Sequence, residues 1–337
     1  MAQIERCATV EDDIKTIASL DLRWAALDGK TLLISGGTGF IGQFLIDVIK
    51  YRNDRYGNRI KVIGCSRHAL PSERDVEYLS HDITIPMELE RHVDFVLHLA
   101  SNTHPKQYAA DPVGTITTNI FGTYNLLNLA KVNGARFLLA SSVEIYGEGG
   151  ETPMTEEYCG YLNCNTARAG YNEAKRLSES LCQSFSAQYG VDCVIARLAR
   201  VFGADRKDDS KAMAQFMSKA VNGEDIILKS AGTQRFSYCY VADAASGILK
   251  ILLDGVSGNA YNVSDDDEGL NLGDYAKAIA ELAGKNVLFD LDNVQSGASA
   301  ATFALLDCDK LKKTGWTPCY SVSDALRKTF KILKERR

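Results

Sequence analysis

The stretch Thr31-Leu-Leu-Ile-Ser-Gly-Gly-Thr-Gly-Phe-Ile-Gly42 joins a short apolar run to a turn rich in glycine. The run has the length of a buried strand, and Phe40–Tyr51 after the turn has helical periodicity. We expect Gly36 to permit the tight bend, Gly39 to let the backbone approach a pyrophosphate, and Gly42 to allow close helix–sheet packing. The N–H groups at the start of the helix would then face the phosphates. The stretch predicts a dinucleotide-binding unit, and the alternative is a structural glycine loop.

Strand-like and helical segments alternate over the first two thirds of the chain. The further predicted strands are Arg59–Cys65, Val93–Leu99, Ala135–Ala140 and Val191–Ala196, and the long predicted helices are Thr115–Val132 and Ala167–Tyr189. Strands that alternate with helices form βαβ units around a parallel sheet. The predicted fold class is therefore α/β, with a Rossmann-type doubly wound parallel sheet and a smaller α+β substrate-binding lobe.

The pattern divides the chain into three parts. We expect an N-terminal helical extension over 1–29, a dinucleotide-binding domain over 30–200, and a substrate lobe mainly over 201–337, with parts that return to the first domain. Val10–Leu27 is predicted as an amphipathic helix that packs on the core or on a second subunit. The lobe is predicted to contain a loop and three helices, at Asp205–Lys211, Ser210–Val221, Leu272–Ala283 and Ser323–Leu333.

Composition and charge narrow the class of protein. The 337 residues are 45% hydrophobic and 24% charged, with a formal net charge of −5, so no basic face is expected to bind nucleic acid. Nine cysteines without regular spacing predict free thiols in a reducing compartment. The closest pair, Cys159 and Cys164, has no second pair or nearby histidine with which to form a metal site. We expect a cytoplasmic protein with no metal and no membrane partner, because no apolar run reaches spanning length.

A phenol and an ammonium lie four positions apart in Tyr171-Asn-Glu-Ala-Lys175, on one face of a predicted helix. A phenol ionises at about pH 10. A neighbouring ammonium favours the phenolate, so we expect Tyr171 to act as a base near neutrality. The spacing alone is common, but together with the glycine turn it indicates oxidation of an alcohol by a dinucleotide.

Other polar residues follow the predicted strands, at the edge of the sheet where α/β proteins bind ligands. In Ser141-Ser-Val-Glu-Ile-Tyr-Gly147, Ser142 is a candidate proton relay to Tyr171, or a loop serine that satisfies backbone groups. Glu144 is either a second acid/base or a structural hydrogen-bonding residue. His98 lies within an apolar strand and is predicted to be a core residue.

Two positions bear on the choice of cofactor. The second predicted strand leads into Ser66-Arg67, where NAD-binding chains usually carry Asp or Glu. Either Arg67 pairs with the 2′-phosphate of NADP, or it is exposed beside a Ser66 that hydrogen-bonds the ribose. Asp82 either meets the adenine or caps a turn.

These motifs resemble the extended short-chain dehydrogenases, in particular the NAD-dependent epimerase/dehydratase group that acts on nucleotide sugars. The resemblance covers almost the whole chain after about Gly29. Besides the motifs above it rests on His98-Leu-Ala-Ser101, Thr118-Asn-Ile-Phe-Gly-Thr123 and Tyr240-Val-Ala-Asp243.

The resemblance implies a role for each matching residue. Tyr171 is the implied base, Lys175 its electrostatic partner and nicotinamide-ribose ligand, and Ser142 the relay. Glu144 is a further catalytic candidate, which either positions the sugar or protonates the carbon after CO2 leaves. The implied contacts to a tightly bound NAD or NADP are Gly36, Thr38, Gly39, Phe40, Ile41, Gly42, Ser66, Arg67, Asp82, Ile83, Leu99, Ala100, Ser101, Asn119, Tyr171 and Lys175. The implied contacts to a nucleotide-diphosphate sugar are Thr103, Ser142, Glu144, Arg200 and Arg235.

Three stretches are most similar to UDP-glucuronate decarboxylases: Asp111-Pro-Val-Gly-Thr-Ile-Thr-Thr-Asn119, the glutamate of Ser-Ser-Val-Glu, and Arg168-Ala-Gly-Tyr-Asn-Glu-Ala-Lys-Arg176. The chain also departs from the family. Val143 replaces the Asp of 4,6-dehydratases and the usual Ser of decarboxylases. Arg200 replaces an Asn that commonly touches the diphosphate, and Phe236 replaces an Arg, with Arg235 one place earlier.

The resemblance thus implies an enzyme that oxidises the sugar transiently at C4. Decarboxylation of a hexuronate is the leading outcome and 4-epimerisation the main alternative. A 4,6-dehydratase, an NADPH-dependent keto-sugar reductase and a non-catalytic dinucleotide-binding protein are the remaining ones. A homodimer is expected, in which the helices Thr115–Val132 and Ala167–Tyr189 of two copies form a four-helix bundle.

Overall fold

The computed structural model describes residues 7–68, 70–103, 109–150, 152–205, 211–265, 270–291 and 302–336. The strands are β1 Thr31–Ser35, β2 Lys61–Ser66, β3 Val76–Ser80, β4 Phe95–His98, β5 Arg136–Ser142, β6 Cys193–Leu198, β7 Arg200–Phe202, β8 Ile226–Leu228, β9 Arg235–Phe236, β10 Tyr238–Tyr240, β11 Ala260–Val263, β12 Val287–Phe289 and β13 Phe303–Ala304. The α-helices are α1 Ala8–Ser19, α2 Phe40–Tyr56, α3 Pro112–Asn133, α4 Ala169–Tyr189, α5 Ala212–Val221, α6 Val241–Asp254, α7 Leu272–Leu282, α8 Asp309–Lys312 and α9 Val322–Glu335. Short 3₁₀ helices span Trp24–Leu27 and Val143–Tyr146.

Seven parallel strands form the central sheet, in the order β11-β6-β5-β4-β1-β2-β3. The strand order reverses between β1 and β4, and ligands of such sheets bind at this point, beyond the carboxyl ends of the strands. The Rossmann-type doubly wound sheet predicted from the sequence is confirmed.

Both faces of the sheet are covered, as parallel sheets require. In β1, Leu32 and Ile34 point into a core that also contains residues of α2 and α6, whereas Leu33 points into a second core with residues of α3 and α4. All three side chains are fully buried, and each such burial stabilises the fold by about 1.5–3 kcal/mol. The alternation fixes which helices lie on which face.

The chain beyond residue 200 contributes to two regions. α6 packs on the sheet, and β11 pairs with β6 at the sheet edge. The rest forms three two-stranded parallel pairs, β7–β10, β8–β12 and β9–β13, together with α5, α7 and α9. The predicted loop Asp205–Lys211 lies, from 206 to 210, outside the described residues.

The N-terminal extension differs from the single helix predicted over Val10–Leu27. α1 ends at Ser19, the backbone is extended at Leu20, and the 3₁₀ helix follows at Trp24, whose indole nitrogen donates to the Leu20 carbonyl at 3.0 Å. This break lets Trp24 turn inward and become buried. The sequence predicts that the extension packs either on the core or on a second subunit. In the structure it packs on the core of its own chain, where α1 contacts α2, α6 and α9.

A buried carboxylate anchors α1. Asp13 accepts a hydrogen bond from the Tyr240 hydroxyl at 2.6 Å, and the Lys328 ammonium lies 2.8 Å from its other oxygen. These partners precede α6 and lie on α9, respectively. One side chain therefore joins the N-terminal helix to two later parts of the chain.

Other boundaries shift by a few residues. The largest shift is in α2, which runs to Tyr56 instead of Tyr51 and ends at Gly57, a residue with φ of +71°. In the described ranges, no helix is long and apolar enough to cross a membrane.

Candidate active site

The glycine turn lies between β1 and α2, at the point where the strand order reverses. Gly36 has φ of +75°, and a Cβ atom there would lie 2.9 Å from the Ala100 nitrogen. A Cβ at Gly42 would lie 2.3 Å from the Gly36 oxygen. No side chain caps the start of α2 after Gly39, so its first N–H groups are open to an anion. This arrangement fits the diphosphate of a dinucleotide. Thr38, Phe40 and Ile41 lie in the turn and at the start of α2.

A buried serine couples the glycine turn to β4. Ser35 Oγ lies 2.8 Å from His98 Nδ1 and accepts hydrogen bonds from the N–H groups of Leu99 and Ala100, each at 3.2 Å. Burial, together with the Lys175 charge, lowers the pKa of His98 to about 3, so the ring is neutral. His98 is thus a core residue, and the Ser35 hydroxyl holds Leu99 and Ala100 beside the turn.

Tyr171 and Lys175 lie on α4 and are almost completely buried. The Lys175 ammonium donates to the Ala140 carbonyl of β5 at 2.8 Å and lies 5.9 Å from the centroid of the Tyr171 ring. Burial lowers the pKa of Lys175 to about 8, an effect that Glu179 opposes. The predicted juxtaposition of phenol and ammonium is therefore present.

Burial also affects the pKa of Tyr171. Burial raises the pKa of its phenol to about 12, although hydrogen bonds with Ser142 and Ser101 act in the opposite direction. The loss of hydration thus outweighs the favourable contacts, whereas the prediction of a base near neutrality considered only the neighbouring ammonium.

Two hydroxyl groups flank the phenol. Ser142, the last residue of β5, hydrogen-bonds Tyr171, and its oxygen accepts from the Glu144 N–H at 3.2 Å. Ser101 also hydrogen-bonds Tyr171 and donates to the Asn119 side chain at 2.9 Å. Four of the sequence-predicted residues thus meet at one point: Ser101, Asn119, Ser142 and Tyr171.

A charged cluster surrounds Glu144. One carboxylate oxygen accepts from Arg168 and from Asn172, both at 3.1 Å, and the other lies 3.5 Å from the Arg200 guanidinium. Arg200 lies over the Phe236 ring, and its Nη1 atom is buried with no hydrogen-bond partner in the part of the chain that the structure describes. The cluster can receive an anionic group beside Tyr171.

Arg168 and Asn172 were not predicted as site residues. Their side chains also bond each other, with 2.9 Å between Arg168 Nη1 and Asn172 Oδ1. The signal available in the sequence was their i, i+4 spacing, since it places both on the helix face next to Tyr171.

The remaining cofactor candidates lie around β2 and β3. The Ser66 hydroxyl donates to the His68 carbonyl at 2.7 Å, and Arg67 is exposed. Asp82 accepts from the backbone and side chain of Thr84, both at 2.9 Å, and these bonds hold its pKa below the usual range. Asp82 therefore caps a turn in this structure. Ile83 is buried.

Two residues predicted to bind the substrate, Arg235 and Thr103, do not belong to the charged cluster around Glu144. Arg235 is exposed, with its guanidinium carbon 5.6 Å from the centroid of the Phe303 ring. Thr103 is exposed next to residues 104–108, which are outside the described ranges. Among the residues described, no group of three or more His, Cys, Asp or Glu side chains could hold a metal.

Comparison with known proteins agrees with this geometry. Residues 32–264 match the NAD dependent epimerase/dehydratase family. The chain is 32% identical to UDP-glucuronic acid decarboxylase 1 of Xenopus tropicalis, over 91% of this chain and 73% of that protein. It is 33% identical to UDP-glucuronic acid decarboxylase 6 of Arabidopsis thaliana, over 88% of this chain and 86% of that protein.

The fold is likewise similar to that of solved enzymes. The UDP-glucuronic acid 4-epimerase of Bacillus cereus, solved with UDP-glucuronic acid and NAD, superposes with a TM-score of 0.77. The alignment covers 91% of this chain and 100% of that one, at 20% identity, so it is evidence for the fold alone. The family match and the decarboxylase relatives decide the classification: the chain belongs to the NAD dependent epimerase/dehydratase family.

Proposed function

We propose that this enzyme binds NAD and a nucleotide-diphosphate sugar, and that it oxidises the sugar transiently at C4. The observation that carries the proposal is the meeting of Tyr171, Ser142 and Lys175 at the carboxyl edge of β5, beside the glycine turn. When bound, the dinucleotide supplies the hydride acceptor. Its diphosphate would lie against the start of α2, after a turn in which Gly36, Gly39 and Gly42 allow backbone segments to lie close together.

The residues of the chain handle the proton. Tyr171 takes the proton of the C4 hydroxyl, and Ser142 orients that hydroxyl by its hydrogen bond to the phenol. Lys175 stabilises the phenolate and holds the nicotinamide ribose. Asn119 accepts the hydrogen bond of the Ser101 hydroxyl, which lies hydrogen-bonded on the other side of the phenol.

We further propose that the substrate is a hexuronate and that the reaction is decarboxylation. Oxidation at C4 makes the C6 carboxylate that of a β-keto acid, so the C5–C6 bond breaks, CO2 leaves, and C5 accepts a proton. Arg200 and Arg168 supply positive charge for a carboxylate near Tyr171. Glu144 is hydrogen-bonded to these cations and to Asn172, which supports a role in positioning them. Val143 is buried and provides no acid for dehydration.

A 4-epimerase is the second candidate. The UDP-glucuronic acid 4-epimerase of Bacillus cereus has the same fold and was solved with NAD. In a 4-epimerase the charged cluster around Glu144 would bind the same hexuronate, and hydride would return to the opposite face of the C4 ketone. The two reactions share the oxidation and differ in whether the C5–C6 bond breaks.

The active form is proposed to be a cytoplasmic homodimer. Large apolar side chains on α3 and α4 are exposed in the single chain, among them Phe121, Tyr124, Val132, Leu177 and Tyr189. Such residues on two neighbouring helices fit a four-helix bundle between two copies. The nine free cysteines support a reducing compartment.

Incubation with UDP-glucuronate and, separately, with UDP-glucose tests the proposal. Release of CO2 and a pentose nucleotide from the first compound is the expected result, with no net consumption of added NADPH. Inversion at C4 without loss of mass would replace decarboxylase by epimerase. Stoichiometric oxidation of NADPH would indicate a reductase, and binding of NAD without turnover of either sugar would indicate a non-catalytic protein.

A further inference from the structure

Two side chains one helical turn apart on α4 hold consecutive residues of β5. Lys175 donates to the Ala140 carbonyl at 2.8 Å, and Glu179 accepts from the Ser141 hydroxyl. The next residue of the strand is Ser142. The two contacts therefore fix α4, which carries Tyr171, against the strand end that carries Ser142.

Glu179 is also half of a buried ion pair. Its carboxylate accepts from the Arg197 guanidinium of β6 at 2.8 and 3.1 Å, and the two side chains are only 12% and 13% exposed. Arg197 in turn donates to the Tyr146 hydroxyl at 3.0 Å and to the Glu156 carbonyl at 2.7 Å. The pair thus links α4, β5 and β6 to the 3₁₀ helix that follows Ser142.

The Glu179–Arg197 pair differs from a purely structural ion pair because the Glu179 charge also acts on Lys175. On α4, Lys175 is influenced by Glu179 and Cys182, with the Tyr171 ring nearby. β4 presents the neutral His98, β5 presents the uncharged Ala140 carbonyl, and α3 meets this part of α4 through an uncharged hydroxyl contact, between Thr123 and Ser178. Within the described ranges, Glu179 is the carboxylate that stabilises the Lys175 ammonium against the effect of burial.

We infer that Glu179 is a positioning residue of the active site, which keeps Lys175 cationic and holds Lys175 and Ser142 in place around Tyr171. The functional part of this inference rests on the proposed roles of Lys175 and Ser142 in C4 oxidation. The charge state of Lys175, by contrast, can be measured without substrate or cofactor.

Nuclear magnetic resonance of protein labelled with ¹⁵N in lysine side chains gives this measurement. The Lys175→Met variant identifies the Lys175 signal, whose pKa is expected at about 8 in the wild type. In Glu179→Gln the amide keeps the shape but removes the charge, and the Lys175 pKa should fall by about one further unit. An unchanged titration would overturn the inference.

Asp192→Asn is the matched control. Asp192 forms an ion pair with Arg136 at 2.6 Å, which also links β5 to the chain at β6 but at the amino-terminal ends of these strands. This variant should leave the Lys175 pKa within about 0.2 units of the wild type. The removed charge lies at the amino-terminal ends of β5 and β6, whereas Lys175 contacts the carboxyl-terminal part of β5. If the Lys175 pKa shifted as much in Asp192→Asn as in Glu179→Gln, the effect would not be specific to Glu179, and Glu179 would be only a stabilising residue.

Glu179→Gln leaves the Arg197 guanidinium buried without its carboxylate, a change that can prevent folding. The double variant Glu179→Gln/Arg197→Gln removes both charges and retains hydrogen-bonding groups. Lys175 should again titrate below its wild-type pKa, since Glu179 is the member of the pair whose charge acts on Lys175. A wild-type titration in this folded variant would also contradict the inference.

Kinetics extend the test to function. The alkaline limb of kcat for UDP-glucuronate should move to lower pH by the same shift in Glu179→Gln, with KM changed less than about twofold. If the wild type turns over sugar but the limb stays in place, the positioning role is wrong and the proposed function stands. If the wild type turns over no nucleotide sugar, the proposed function fails while the Lys175 titration still decides the electrostatic role.

Discussion

The guanidinium carbon of Arg200 lies 3.9 Å from the centroid of the Phe236 ring, so two positions at which the resemblance implies departures from the family pattern are in contact. A cation over an aromatic face is stabilised by about 0.5–2 kcal/mol. Phe236 thus holds the guanidinium next to Glu144.

Arg200→Gln should discriminate between an anionic and a neutral sugar. We expect KM for UDP-glucuronate to rise at least about tenfold and KM for UDP-glucose less than about threefold, because Arg200 is a partly buried cation that would pair with the carboxylate of the first sugar only. Equal losses would assign Arg200 to the diphosphate. Arg235→Gln serves as the control, since Arg235 is exposed over Phe303, and it should change both KM values less than about twofold.

Tyr171→Phe should bind NAD normally and lose about 10²–10⁴-fold in the rate of hydride transfer, because it deletes only the titrating hydroxyl. Absorbance of the reduced nicotinamide in a single turnover measures this step. Retention of near wild-type turnover would remove Tyr171 from the mechanism.

Lys175→Met should weaken NAD binding about tenfold and also lower kcat, because one ammonium is proposed to serve both. In the wild type the ammonium predominates below its pKa of about 8, so NAD affinity should fall as the pH rises through that value. Calorimetric titration across pH 6 to 10 should show this loss in the wild type and not in the variant. A similar loss in the variant would assign it to another group. Lys219→Met, which removes a surface ion pair with Glu224, is the control.

Arg67→Ala tests the choice between NAD and NADP. Because the Arg67 side chain is exposed and NAD is the proposed cofactor, the variant should bind NAD within about threefold of the wild type. Fluorescence titration with both dinucleotides gives the comparison. A selective loss of NADP affinity, on the order of 2–5 kcal/mol, would instead show that Arg67 pairs with the 2′-phosphate.

The proposed dimer predicts that Phe121→Asp on α3 yields a monomer, since it would place a charge within the four-helix bundle. Light scattering at micromolar concentration gives the mass of the wild type and of the variant. Ile227→Asp is matched to it, because Ile227 is similarly exposed but lies on β8. This control should remain dimeric, and a monomeric wild type would contradict the proposal.

Much of the fold could be predicted because its signals are local. The glycine turn and the apolar strands around it each depend on a few adjacent residues. α6 was missed although Asp243, Ser246, Lys250 and Asp254 recur along it at helical spacing. β11 was missed because it depends on pairing with β6, a strand distant in the sequence.

The residues of the site also differ in whether a local sequence pattern predicts them. Tyr171 and Lys175 could be predicted from one helical turn, whereas the contact between Arg200 and Phe236 joins strands that are far apart in the sequence. The pattern that predicts a base at Tyr171 reports a neighbouring charge but not the loss of hydration on burial, which raises the pKa of the phenol.

The anchoring of α1 through Asp13 has a practical consequence for shortened versions of the protein. The family match begins at residue 32, so a version trimmed to the matched region would lack the carboxylate that meets Tyr240 and Lys328. It would also uncover the apolar side chains of α2, α6 and α9 that Ile14 and Ile17 now cover. Such a version should aggregate on expression and be digested readily by proteases, even though every proposed catalytic side chain is retained.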